Sequence, residues 1–367
     1  MRILRNYILK EILPPFFLSL IIITFAFLIG NMIKLADLVI NKGVELVYIG
    51  KLFLYLIPKL MSYTIPIGVL IATLVGFGRL SSDNEITAMR ASGINLYKIS
   101  MPAILLGLII SVLSLPLNDK IVPVAHYKAR MLIKELGLRR PAAYLEAGTF
   151  IRGFKDYILF IYGIKYGKEK TILDNIRIYQ PQKDGPTRTV VAKKGELISL
   201  PDKNAIKLKL IDGTSEEPNP MDPRHFFKLN FKTYYITLTL DSSTMRESGK
   251  KTKEMTFKEL KNNACELKKA GIDPLPLIRR LHKRIASSFA SFAFVLIGLP
   301  LAITTRRGEK SIGIGLALVL ASVYWALIAI GQIFATKNIF PIWLAMWFGN
   351  IALIVIGSIM MYFTMRR

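Results

Sequence analysis

The chain has 367 residues, 52% of them apolar, and carries 50 Lys+Arg against 25 Asp+Glu for a formal charge of +25. The apolar residues gather in long uncharged runs with the charges between them, which excludes an ordinary soluble domain and marks a membrane protein. One cysteine, Cys265, and three histidines without paired spacing exclude a disulfide framework within the chain and a Cys-paired zinc site.

Charge-free runs cover residues 12–33, 60–78, 99–118, 285–305, 311–336 and 338–365. About 20 residues at 1.5 Å rise cross the ~30 Å hydrocarbon layer, so the runs predict six spanning helices. The first follows Arg2, Arg5 and Lys10 as a signal peptide would, but it is too long for an h-region and lacks a small-residue cleavage site. It is expected to remain as an anchor. Gly68, Ala72 and Gly76 recur every four residues on the second run and permit close helix approach. The N-terminus, the second-to-third and fourth-to-fifth connections and the tail together hold Arg2, Arg5, Lys10, Arg79, Arg90, Lys98, Arg306, Arg307, Lys310, Arg366 and Arg367. The short connections on the other side hold only Lys34, Lys42, Lys51 and Lys337. This bias predicts cytoplasmic termini and places the segment from about 119 to 284 outside.

The connection Arg79–Gly93 reads RLSSDNEITAMRASG. Ser82 and Glu85 have capping-box spacing, Ile86, Met89 and Arg90 share one helical face, and Gly93 can end a helix in a left-handed conformation. A short helix along the membrane and a solvated connector both fit these residues, since so short a helix needs something to pack on.

Between residues 117 and 271 the chain carries 30 Lys+Arg and 18 Asp+Glu, and its pattern changes to period two. Ile206, Leu208 and Leu210 alternate with Lys207 and Lys209, and Tyr234, Ile236, Leu238 and Leu240 alternate with Tyr235, Thr237 and Thr239. Further strands are expected near 143–152, 156–166, 172–180 and 187–200, separated by turn signals such as Asp184-Gly185-Pro186 and Asp212-Gly213. The series implies a sandwich, a jelly roll or an open barrel. In Tyr157–Tyr162 both faces are apolar, which fits a strand buried between sheets or one whose face, through Ile158 and Phe160, lines an apolar groove. Thr256 and Glu259 then have capping-box spacing ahead of Phe257, Leu260, Ala264 and Leu267, an amphipathic helix ending before Gly271. Arg279, Arg280, Lys283 and Arg284 crowd the start of the fourth span, on the side where cations are otherwise scarce.

No Walker-type glycine loop, Gly-x-Ser-x-Gly elbow or His-Glu-x-x-His helix occurs, and the central parts of the spans hold no Asp, Glu or His. Energy is therefore expected to enter through a partner. An ion-coupled carrier and an envelope scaffold or sensor are the competing readings.

Four stretches carry a resemblance to a known family. They are Arg5–Glu11 (RNYILKE), GRLSSDNEITAMRASGINLYKI from Gly78 to Ile99, HKRIASSFASFAFVLIGLPLAITTRRGEKSIGIG from His282 to Gly315, and WLAMWFGNIALIVIG from Trp343 to Gly357. In these the chain resembles the LptF/LptG permeases of the lipopolysaccharide-export ABC transporter, and Ile40–Val44 (INKGV) is more similar to the F type than to the G type. The resemblance implies a helical membrane protein with six spans and an inserted periplasmic jelly-roll domain. Residues 1–118 would hold spans one to three, 119–271 the strand domain and amphipathic helix, and 272–367 spans four to six. It implies a multi-pass protein of a Gram-negative inner membrane, paired with a sister permease on a cytoplasmic LptB ATPase dimer. Single-span LptC and a periplasmic LptA-like bridge would receive the lipopolysaccharide, and no nucleic acid is involved. No cofactor would be bound by this chain, since ATP and Mg2+ belong to the ATPase. The helix near 83–92 would enter a groove of that ATPase through Glu85, Ile86, Met89 and Arg90. Lipid phosphates need cations at the outer membrane edge, for which Lys34, Lys42, Arg280, Lys283 and Arg284 are the candidates.

Overall fold

The computed structural model describes residues 2–40, 44–139, 147–154, 156–166, 171–181, 187–200, 205–218, 226–239, 250–305, 310–337 and 339–366. Two compact units result. The first comprises residues 1–31, 55–127 and 252–367, and the second residues 32–54 and 128–251.

The helices are α1 (Arg2–Ile40), α2 (Leu46–Ser82), α3 (Glu85–Ala91), α4 (Leu96–Pro116), α5 (Val122–Arg139), α6 (Phe257–Lys269), α7 (Leu275–Ser288), α8 (Ala290–Thr305), α9 (Lys310–Thr336) and α10 (Ile342–Arg366). Five helical stretches among the described residues are long and apolar enough to cross a membrane, or six when the pair α7–α8, bent by 42° at Phe289, counts as one broken span. At that bend the Ser288 hydroxyl turns back to the carbonyl of Arg284 (3.0 Å), the local competition for carbonyls by which serine bends a helix, and also faces the Ser114 carbonyl of α4 (3.4 Å). The third apolar run does not stop at residue 118. A π-helical turn, Leu117–Ile121, carries it into α5, so that Leu96–Leu136 is one helical stretch. The charge-free criterion missed α5 because Lys128, Arg130, Lys134, Glu135 and Arg139 interrupt it, although Ala125, Leu132 and Leu136 keep a buried helical stripe.

In the first unit one apolar core joins α1, α2, α4, α8, α9 and α10, with Leu70, Phe77, Ile99 and Phe294 almost fully enclosed. The small-residue stripe of α2 lies against α1: a methyl group at Gly76 would stand 3.3 Å from the carbonyl oxygen of Glu11. A buried polar chain crosses this core. The Tyr324 hydroxyl donates to Asn350 Oδ1 (2.9 Å), and Asn350 Nδ2 donates to the carbonyl of Ala286 (2.7 Å), tying α9, α10 and α7 together.

The second unit holds strands β1 (Phe150–Phe154), β2 (Tyr157–Tyr166), β3 (Thr171–Gln180), β4 (Arg188–Leu200), β5 (Ala205–Pro218) and β6 (Phe226–Thr239). They form one antiparallel sheet in chain order, β1-β2-β3-β4-β5-β6. Every strand sends residues into a single core: Ile151, Leu159, Ile161, Leu173, Ile176, Val190, Leu208, Leu210, Ile236 and Leu238 are buried there. The expected turn at Asp212-Gly213 is instead inside β5, where Asp212 takes φ +51°. An Asp-Gly pair tolerates positive φ, and a long strand uses it to bend rather than to reverse. Asp184–Pro186 and the first part of the strand expected near 143 lie outside the described residues.

Candidate functional sites

Two places in the helical unit concentrate polar side chains. The first surrounds α3. Ser82 is the last residue of α2 and so cannot adopt the extended conformation of an N-cap; its hydroxyl bonds to the Arg79 carbonyl (3.1 Å) and to Asp83 Oδ1 (3.3 Å). The chain turns at Asn84 (φ +57°), which caps α3 without a side-chain bond. The expected Ser82–Glu85 capping box is absent because both partners are taken elsewhere. Glu85 accepts from the Tyr7 hydroxyl at 2.5 Å, and its other oxygen lies 3.8 Å from Arg79. Arg79 also meets Glu11 at 3.0 Å and Asp83 at 3.8 Å. Glu85 thus belongs to a network joining α1, α2 and α3.

Ile86 is 3% exposed within the same core as Ile8, Leu80 and Ile99, and Met89 packs partly against it. Both were expected to contact a partner; an apolar pair three residues apart can face only one way, and here it faces its own chain. The surface left open consists of Asp83, Asn84, Thr87, Ala88, Ala91 and Ser92, flanked by half-buried Arg90. At the other end Gly93 takes φ +83°, the Ile94 N–H bonds to the Met89 carbonyl (3.1 Å), and Asn95 caps α4 by accepting from Tyr97 N (2.9 Å).

The second place is a cavity of about 100 Å³, several times what one water needs, between α2, the π-helical turn, α7 and α9. Lys59, Lys253, Arg280, Lys283 and Arg284 line it, and among the described residues no carboxylate does. The cations differ in their commitments. Arg284 gives both terminal nitrogens to backbone, donating to the carbonyls of Met255 (2.5 Å), Lys253 (2.7 Å) and Thr252 (3.2 Å). It clamps the segment ahead of α6, which conflicts with its expected headgroup role. Lys283 donates to Gln332 Oε1 (3.2 Å) and Arg279 to Thr336 Oγ1 (2.8 Å). Arg280 reaches this cavity and the adjoining one that holds Arg279 and Gln332, and its buried Nε has no hydrogen-bond partner. On the cavity floor the Ser62 hydroxyl donates to Asn118 Oδ1 (2.6 Å) and Asn118 Nδ2 to the Ser288 hydroxyl (2.9 Å), linking the π-helical turn to the α7–α8 bend.

Lys59, Lys253 and Asn118 were not foreseen as parts of one site, since they come from three distant stretches of the chain. Lys34 is on α1, and Lys42 lies outside the described residues. Ile158 and Phe160 share one half-buried face of β2, where the Phe160 ring meets Phe150 at a tilt and Tyr162 edge-to-face (centroids 4.9 Å each). The neighbouring Leu159 and Ile161 point into the sheet core. Among the described residues no three His, Cys, Asp or Glu side chains gather as a metal site.

Comparison with known proteins matches residues 6–363 to the family model described as lipopolysaccharide export system permease LptF/LptG, which joins both types. An uncharacterized protein of Rickettsia prowazekii (strain Madrid E) is 24% identical over 362 residues, which is 97% of this chain and 98% of that protein.

Proposed function

Since the chain belongs to the LptF/LptG family of lipopolysaccharide export system permeases, we propose that it is an F-type permease subunit that draws lipopolysaccharide from the inner membrane and hands it to a periplasmic bridge, driven by ATP hydrolysis on a separate LptB dimer. The observation that carries the reading is the extent of the match, residues 6–363, which takes in the helices and the strand domain together. A sister permease would complete the membrane path, and LptC and the LptA-like bridge would continue it.

In this reading α3 is the coupling element, and its open face from Asp83 to Ser92 meets the ATPase while Ile86 and Met89 anchor it to the permease. Glu85 acts by holding α3 to Tyr7 and Arg79, so that movement of the ATPase reaches α1 and α2 through short polar contacts. Lipid phosphates are met at the other edge of the membrane. Arg280 supplies the donor not taken up within the protein, Lys283 a second one, and Lys59 and Lys253 add to the positive potential of the cavity. The sheet is read as the periplasmic jelly-roll unit, and acyl chains would enter by parting the core that Leu159 and Ile161 now fill.

The test is affinity purification of the chain from its native membrane, followed by mass spectrometry of proteins and lipids. A nucleotide-binding subunit and lipopolysaccharide are expected together. Recovery without a nucleotide-binding subunit would favour a carrier, and recovery with periplasmic proteins but no lipid would favour a scaffold.

A further inference from the structure

A groove of about 440 Å³ lies between the first turns of α1, the Gly93–Ile94 link and the first three turns of α4. Lys98, Met101, Pro102 and Leu105 fall at i, i+3, i+4 and i+7, one face of α4, so a cation stands at the head of an apolar stripe roughly 10 Å long. Arg2 and Arg5, three residues apart on α1, line the same groove. Among the described residues three cations and no carboxylate line the groove, and Arg5 donates to the neighbouring Asn6 amide oxygen at 3.4 Å. Arg2 and Arg5 precede the apolar run 12–33, and Lys98 directly precedes the run 99–118, so all three belong to the Lys/Arg-rich edge of the helical unit.

Cations beside an apolar stripe at a membrane boundary have the charge and chemistry of a site for one anionic lipid. We propose that this groove binds an anionic glycerophospholipid of the cytoplasmic leaflet, its phosphate held by Arg2, Arg5 and Lys98 and one acyl chain laid along Met101, Pro102 and Leu105. Such a lipid is no cargo; it would brace the start of α1 against the link that follows α3. The inference goes beyond the transport reading and requires neither lipopolysaccharide nor ATP.

The full chain, purified with whatever subunits accompany it, is reconstituted into nanodiscs of phosphatidylcholine doped with phosphatidylglycerol bearing a photoreactive acyl chain, and the captured peptide is mapped. Capture within Met101–Leu105 is expected, with background labelling when the photoreactive lipid is phosphatidylcholine. Lys98→Gln and Arg5→Gln should each lower capture about fivefold. Met101→Trp, which fills the stripe and leaves every charge in place, should abolish it, and it decides the matter alone if the charge variants fail to insert. Equal capture of the two lipids, capture unchanged by Met101→Trp, or crosslinking of this stripe to a partner subunit in place of lipid would overturn the proposal.

Discussion

Tyr7→Phe removes one oxygen atom, and with it the bond that holds α3 to the start of α1. The Tyr7–Glu85 contact is short, 2.5 Å, and its acceptor is a carboxylate on a side chain 33% exposed. Hydrogen bonds to charged groups contribute ~1.5–3 kcal/mol net. The Arg79–Glu85 pair, at 3.8 Å with both side chains over a third exposed or close to it, adds less than ~1 kcal/mol and cannot replace the lost bond. At about 1.4 kcal/mol per decade, the equilibrium constant for docking of α3 should fall roughly ten- to a hundredfold. Lipopolysaccharide-stimulated ATP hydrolysis by the assembled complex should drop, while insertion and pairing with the sister permease persist. Glu85→Gln keeps an acceptor for Tyr7 but makes the bond neutral, worth ~0.5–1.5 kcal/mol. Tyr7→Phe should therefore cost about 1 kcal/mol less in a Glu85→Gln background than in the native one, a coupling that a double-mutant cycle resolves. Equal costs in both backgrounds, or a silent Tyr7→Phe beside a defective Glu85→Gln, would show that Glu85 acts on the ATPase directly and that the intramolecular tie is not what transmits force.

Three further outcomes follow from the packing. Ile86→Ala should open a cavity in the permease's own core and lower its stability by ~2–4 kcal/mol in thermal unfolding without any ATPase present, whereas Ala88→Trp should leave stability unchanged and block ATPase binding; the reverse pattern would put the partner on the other face. Asn350→Leu should orphan the Tyr324 hydroxyl and remove the side-chain donor from the Ala286 carbonyl, which keeps the Phe289 N–H at 3.1 Å, costing ~1–3 kcal/mol in the same assay, and an unchanged midpoint would contradict the buried network. A photoreactive residue at Leu159 should capture acyl chains during ATP turnover and one at Phe160 should not, since only the former faces the core that has to part; capture at Phe160 alone would place lipid on the outer face.

Apolar runs and period-two alternation made the helices and strands legible because burial imposes those patterns directly: Leu208 and Leu210 are buried as their alternation with lysines requires. Two similar tetrads show where local reading stops. Thr256 and Glu259 form the full capping box, with the Thr256 N–H donating to Glu259 Oε2 at 2.8 Å. Ser82 and Glu85 have the same spacing and form none, since Tyr7, 78 residues away, takes the carboxylate. Nothing in the tetrad reveals that competitor. The same limit governs the cation cluster of α7: the sequence places Arg280 and Arg284 one turn apart and equivalent, and only the tertiary structure shows Arg284 bound to three carbonyls and Arg280 with a free nitrogen. The bend at Phe289 escaped for a different reason, as the apolar run 285–305 is continuous through it and periodicity over a span does not register a single added or lost residue; the π-helical turn escaped because Asp119 and Lys120 end the charge-free run inside it.

The claim that joins these parts is that ATP hydrolysis on a partner moves lipopolysaccharide through this chain. Proteoliposomes holding the purified complex and labelled lipopolysaccharide, with a soluble bridge protein outside, measure it directly. Labelled lipid should appear on the bridge protein only when ATP is supplied, more slowly with Tyr7→Phe and more slowly still with Arg280 and Lys283 both neutralised. Transfer at the same rate without ATP, or none at all from a complex that hydrolyses ATP and retains all its subunits, would contradict the account.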